Sequence, residues 1–271
     1  MKLSLTSWSL PACTLSEAAA ISRALGIGAL DVGLFYRSSL DKELILNDPD
    51  HAAARLSSLD IDIPNYYHLF GDGLSGRNLA LPNTRDTNLR DLKQVLTFAD
   101  AAGIDTIFIL PGIVNPGQSR EDAAKQSIAC LADMVALSHD HKAVLTIEPH
   151  VQSFAESPSL VMDLVAETGI RLTLDYSHFI CLGYRQEEID LLIPHAGHVH
   201  LRQAKMGALQ TKFAQGTLNF PAMFGALRQA GYRGALAIEP VHQEYMNTLF
   251  EDVLTEIVAL RDCFCSWIEG E

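Results

Sequence analysis

Short β-branched and apolar runs alternate with longer amphipathic stretches from one end of the chain to the other, the pattern of successive βα units feeding a parallel sheet. Residues 3–8, 29–35, 60–66, 106–110, 143–148, 171–175, 198–202 and 235–239 read as strands. Residues 15–25, 51–59, 88–102, 120–138, 159–167, 186–194, 221–230 and 244–264 carry apolar positions at helical spacing. Several helical stretches end on glycine before the next strand, at Gly26, Gly103 and Gly231, where a left-handed residue closes a helix without steric cost. The longest stretch with neither pattern, residues 71–85, reads as a loop over one end of the fold.

Eight βα units suit a closed barrel or an open doubly wound sheet. No Gly-x-Gly-x-x-Gly follows the first strand and no phosphate-binding P-loop is present. The polar, chemically capable residues fall instead at the C-terminal ends of successive strands, where a barrel gathers side chains about one axis. The expected fold class is α/β, a (β/α)8 TIM barrel forming a single domain over residues 1–271, a usual length for that architecture.

Composition narrows the functional classes. No stretch approaches the roughly 18 apolar residues of a membrane span, and the N-terminus alternates apolar and polar residues without a signal core. Five cysteines at irregular spacing imply no disulfide framework, so a cytoplasmic location is expected, and Cys263 and Cys265 read as ordinary side chains. A net charge of -13 repels phosphodiester backbones. The expected partner is a small molecule, with no nucleic acid and no membrane; self-association into a homo-oligomer is left open.

The strand ends carry the chemistry. The fifth strand ends Ile147-Glu148-Pro149 and the eighth Ile238-Glu239-Pro240, two carboxylates in equivalent places, each followed by a proline that stops strand pairing. The sixth strand ends at Asp175 and the seventh carries His198-Val199-His200. Three carboxylates and an imidazole on four consecutive strands make an oxygen-rich ligand set suited to one divalent ion, Mn²⁺, Mg²⁺ or Co²⁺, with Zn²⁺ admitted. Side chains two apart share a face, which places His200 nearer the rim than His198 and favours it as the ligand. By the same parity Thr146, Thr173 and His198 form a layer beneath, expected to hydrogen-bond the ligands from below. His178, just beyond Asp175, is a candidate for substrate contact or proton relay. Trp8, Phe35, Arg37, Tyr66 and His68, at the ends of strands one to four, are candidates for the pocket wall. Arg37 and Arg185 are candidates for an anionic substrate group.

The motifs Ile147-Glu148-Pro149, Asp175-Tyr176-Ser177-His178, His198-Val199-His200-Leu201 and the run from Gly231 to Pro240 resemble the xylose isomerase-like TIM barrel superfamily, in its sugar isomerase/epimerase branch, over essentially the whole chain. The resemblance implies that Glu148, Asp175, His200 and Glu239 ligate the metal and that Glu148 and Glu239 double as the acid/base pair. The implied activity is isomerisation or epimerisation of a small sugar or keto-sugar by proton transfer through a metal-stabilised enediolate. A dehydratase or lyase acting on a keto-sugar or keto-inositol is the alternative on the same site, and a non-catalytic sugar-binding barrel a further one. The apurinic endonuclease branch fits less well, since Leu110 stands where its fourth strand supplies a histidine and no Asp-x-His pair follows the seventh. Where the epimerases carry Asn-Arg after that strand, this chain offers Arg202 and Lys205, and Arg202 joins His178, His68, Trp8 and Phe35 as a candidate substrate contact.

Overall fold

The strands run β1 (Lys2–Thr6), β2 (Leu30–Asp31), β3 (Asn65–Tyr67), β4 (Thr106–Ile109), β5 (Val144–Ile147), β6 (Arg171–Asp175), β7 (Ala196–Leu201) and β8 (Ala235–Ile238) in a computed structural model that describes residues 1–73, 75–242, 248 and 252–270. Their hydrogen-bonded order is β2-β1-β8-β7-β6-β5-β4-β3, and every pairing is parallel. The two ends of that row meet: Leu30 N–H donates to Asp62 O at 2.8 Å, Val32 N–H to Asn65 O at 3.1 Å, and Tyr67 N–H to Val32 O at 2.8 Å. These bonds close the sheet into the expected (β/α)8 barrel, which leaves no open edge.

Strands β2 and β3 fall furthest short of the expected 29–35 and 60–66. Asp60 sits in the left-handed region (φ 49°) and Pro64 has no N–H to give, so regular pairing of β3 begins only at Asn65. The helices follow as α1 (Leu15–Ala24), α2 (Lys42–Asn47), α3 (Pro49–Ser57), α4 (Arg85–Ala102), α5 (Arg120–Ser138), α6 (Pro158–Thr168), α7 (Tyr176–Ile180), α8 (Gln186–Asp190), α9 (Phe220–Gln229) and α10 (Val253–Glu269). Helix α4 ends on Gly103 at φ 71°, as its sequence predicts. Helices α2 and α7 are too short to show a helical period and were not expected. The expected helix over 186–194 stops at Asp190 and gives way to a 3-10 turn at Ile193–His195, where Pro194 cannot continue it. Of the expected helix over 244–264, residues 244–247 and 249–251 lie outside the described residues; α10 runs on to Glu269.

The apolar core lies between sheet and helices, with Leu30, Ile107, Leu145, Leu172, Leu174 and Leu236 fully buried from the strands. Inside the barrel a polar layer crosses its floor. Asp31 accepts from Ser4 Oγ, from Asn65 Nδ2 at 3.0 Å and from His198 Nε2 at 2.6 Å, while Thr106 Oγ1 donates to Asn65 Oδ1 at 2.8 Å and the hydroxyls of Thr146 and Thr173 meet at 2.7 Å. This corrects the expectation that Thr146, Thr173 and His198 brace the metal ligands from below. Two residues along a strand is a rise of about 6.6 Å, whereas the next strand is about 4.8 Å away, so the layer bonds sideways to itself.

Candidate metal centre

Strand geometry delivers the cluster. The Glu148 N–H makes a last ladder bond to Ile109 O at 3.0 Å and the Glu239 N–H one to Leu201 O at 2.9 Å; Pro149 and Pro240 then end the pairing and leave both carboxylates at the rim. Asp175 closes β6 directly opposite His200 of β7. Asp175 also caps α7, its Oδ1 accepting from the Ser177 N–H at 2.8 Å, so the chain turns sharply and fixes the side chain. Glu148, Asp175, His200 and Glu239 are all buried, and each offers a ligand atom within 4.8 Å of the others.

His200 Nδ1 lies 2.7 Å from Glu148 Oε1 and 3.3 Å from Glu239 Oε2. The Arg202 guanidinium bonds Asp175 Oδ2, reaches Ser177 Oγ at 3.1 Å, and stands 3.5 Å from Glu239 Oε2 and 3.2 Å from His178 Nε2. The Trp8 indole N–H donates to Glu239 Oε1 at 2.7 Å. These partners separate the two glutamates. Burial pushes Glu148 up to about 7, with His200 pulling it back and the charges of Glu239 and Asp175 adding to the rise. Burial acts upward on Glu239 as well, but His200, Arg202 and the Trp8 donor outweigh it and hold its carboxyl well below the usual range. Burial opposes a charge on His200, yet the two glutamates raise it well above an ordinary imidazole.

Three converging carboxylates need cationic balance, and here a protonated His200 and Arg202 supply it. The donor chemistry fits a divalent cation equally well: three carboxylates and one imidazole, with Glu239 Oε2 and His200 Nε2 buried and lacking a hydrogen bond among the described residues. Asp31, His198 and His200 form a second group of potential ligands. Both Asp31 oxygens already accept hydrogen bonds, which makes that group a support for the barrel floor rather than the better ion site.

Trp8 and Phe35 belong to an aromatic wall with Tyr67 and Phe108, the Trp8 ring 5.9 Å from Tyr67 and Phe108 5.2 Å from the His200 ring. Sequence reasoning chose the wrong tyrosine for this wall. Tyr66 packs edge-on against Phe98 of α4, on the helix side of the sheet, and its hydroxyl meets His68 Nδ1 at 3.1 Å. His68 shares that parity, contacts Phe70 and stands apart from the metal cluster. Asn65, buried in the polar layer, was the available signal: it places Tyr67 inside by alternation. His178 does join the cluster, 3.6 Å from Asp175 Oδ2. Arg37 donates to Ala12 O, Arg185 pairs with Glu188, and Lys205 is exposed. Asp31, Phe108, His150 and Ser177 were not singled out, although an acid inside the apolar run Ala29-Leu30-Asp31-Val32 was visible.

Residues 19–261 match the family model described as xylose isomerase-like TIM barrel. A candidate hydroxypyruvate isomerase from Xenopus laevis is 24% identical over 174 residues, covering 59% of this chain and 62% of that protein. Among solved structures, a D-tagatose 3-epimerase-like protein superposes with a TM-score of 0.75 at 16% identity, covering 100% of this chain and 99% of the other. An AP endonuclease, family 2, from Brucella melitensis has the same TM-score at 17% identity, covering 97% and 99%. Identities this low carry the fold alone, and they place sugar and nucleic-acid chemistry on one scaffold. With the family model spanning most of the chain and the barrel closed as described, this protein belongs to the xylose isomerase-like TIM barrel family.

Proposed function

We propose that the chain is a divalent-metal-dependent isomerase or epimerase of a small sugar or keto-sugar, acting by proton transfer at the carbon next to a carbonyl. The observation that carries this reading is the convergence of two strand-end glutamates on one histidine nitrogen, Glu148 at 2.7 Å and Glu239 at 3.3 Å. Glu148, Asp175, His200 and Glu239 would hold the cation. When bound, it would supply Lewis acidity that polarises a substrate carbonyl and acidifies the neighbouring C–H. Glu239, beside His200, Arg202 and Trp8, is the base, and Glu148, on the other side of His200, returns the proton to the substrate. Return of the proton to the opposite face gives an epimer, and return to the adjacent carbon an isomer. Trp8, Phe35, Tyr67 and Phe108 offer an apolar wall for a carbon skeleton and keep water from the reacting carbon.

A net charge of -13 and Leu110 after β4 speak against a nucleic-acid substrate. The test is a screen of D-tagatose, hydroxypyruvate and 3-keto-sugars in deuterated water with Mn²⁺, against a chelated control. The expected product has the substrate's atoms and one solvent deuteron. A product lighter by one water would assign a dehydratase instead, and absence of exchange across the panel would remove the enzymatic reading.

A further inference from the structure

His150 follows Glu148-Pro149 out of β5 and is 6% exposed. Its Nδ1 lies 2.7 Å from Val151 O, and a carbonyl only accepts, so the proton is on Nδ1 and the lone pair on Nε2. Nε2 is buried with no hydrogen-bond partner among the described residues. The same Val151 donates its N–H to His178 Nδ1 at 3.2 Å, and the Arg202 guanidinium, also only a donor, faces His178 Nε2 at 3.2 Å. Val151 thus touches both imidazoles, and its carbonyl leaves His150 with a free acceptor at Nε2. Their rings meet edge to face with centroids 6.1 Å apart, and His178 Nε2 stands 3.6 Å from Asp175 Oδ2, which ties His150 to the rim of the metal cluster. The backbone that sets this is itself pinned: Ser153 Oγ donates to His150 O at 2.6 Å, and Gln152 holds a left-handed conformation (φ 69°).

We propose that His150 is a substrate-binding residue whose Nε2 accepts a hydrogen bond from a substrate hydroxyl beside His178. A buried acceptor without a partner is rare and unfavourable, and a polyhydroxylated ligand supplies the missing donor. One bare nitrogen does not make a second cation site, because an ion needs several ligand atoms and both nitrogens of neighbouring His178 already face donors. This inference rests on the ketose reading above and specifies which part of the substrate is recognised. It selects sugars that carry a hydroxyl at one position and rejects those lacking it, since a site built to bond a hydroxyl discriminates strongly against its absence.

The experiment uses the full chain with Mn²⁺, D-tagatose and its monodeoxy forms, and His150→Asn, whose amide can still donate to Val151 O but offers nothing at the Nε2 position. Expected are an unchanged melting temperature, kcat/KM for D-tagatose lower by about tenfold and carried by KM, and one monodeoxy sugar that wild type uses about tenfold less well but the variant uses as well as D-tagatose. Wild-type KM and discrimination in the variant would overturn the inference and leave the isomerase reading intact. No solvent exchange with any ketose would overturn both. Imidazole ¹⁵N NMR on the wild type gives a readout free of turnover: His150 should be protonated on Nδ1, with its Nε2 resonance moving upfield on saturation with D-tagatose. A proton on Nε2 in the free protein, or a resonance unmoved by bound sugar, would also overturn it.

Discussion

The indole N–H of Trp8, just after β1, donates to the carboxylate of Glu239, just after β8, at 2.7 Å across neighbouring strands. The bond stabilises the ionised form of Glu239 beside a raised Glu148. Trp8→Phe keeps the ring contacts with Tyr67, Phe108 and His200 but removes the donor. The Glu239 pKa should rise, so the acid limb of the kcat/KM profile moves to higher pH, while near neutrality, where His200 and Arg202 still keep Glu239 ionised, the rate changes little. A pH–rate series on the Phe variant checks this, and an unmoved acid limb would show that the indole only packs.

Arg202 is the fixed cation of the cluster, bonded to Asp175 and near Glu239. Arg202→Gln leaves three buried carboxylates facing one imidazole. In chelator the variant should lose about 3–5 kcal/mol of stability, the usual result of removing one partner from a buried ion pair. Divalent metal should restore more of that loss than it adds to wild type, because a cation now meets less competition for Asp175. Thermal unfolding with EDTA and with Mn²⁺ measures both differences.

The floor of the barrel and the metal ligands should separate experimentally. Asp31→Asn keeps the side-chain size but weakens acceptance from Ser4, Asn65 and His198, and should cost about 1–3 kcal/mol in urea unfolding. Metal affinity should stay close to wild type. A loss of about 10- to 100-fold in affinity, typical when a ligand's own hydrogen-bond support is removed, would mean that the layer does brace His200 through His198.

Burial, and after it the charges of Lys42 and Arg77, push the His68 imidazole down to about 3. An unfolded histidine titrates near 6.5, so between those values the unfolded chain binds the extra proton. The stabilising contribution is complete above about 6.5 and drains as pH falls toward 3. His178, also depressed to about 3 by burial, acts in the same direction. His68→Asn, which retains a polar atom for the Tyr66 hydroxyl, should therefore flatten the loss of stability between pH 7 and pH 4 in urea melts.

The barrel was legible because each βα unit announces itself locally: period-two strands, helical spacing, and glycine at helix ends such as Gly103. The candidate cluster was legible for the same reason, since alternation along a strand fixes which side chain reaches the rim, and the structure brings Glu148, Asp175, His200 and Glu239 together there. What alternation along one strand does not contain is the register between strands. That is why His198 was assigned to the ligands above it rather than to Asp31 on β2, and why Tyr66 was preferred to Tyr67 when β3 began later than expected. Helix α7 escaped because five residues capped by Asp175 show no period. His150 escaped because its meaning lies in a tautomer set by Val151, which no pattern of residue types reveals.

The central claim is that the strand-end glutamates move a substrate proton, and solvent exchange reads it most directly. With saturating Mn²⁺ confirmed bound, Glu239→Gln should lower deuterium incorporation at the carbon next to the substrate carbonyl by at least about a hundredfold. Exchange continuing near the wild-type rate in that metal-loaded variant would contradict the account, because the base would then lie elsewhere.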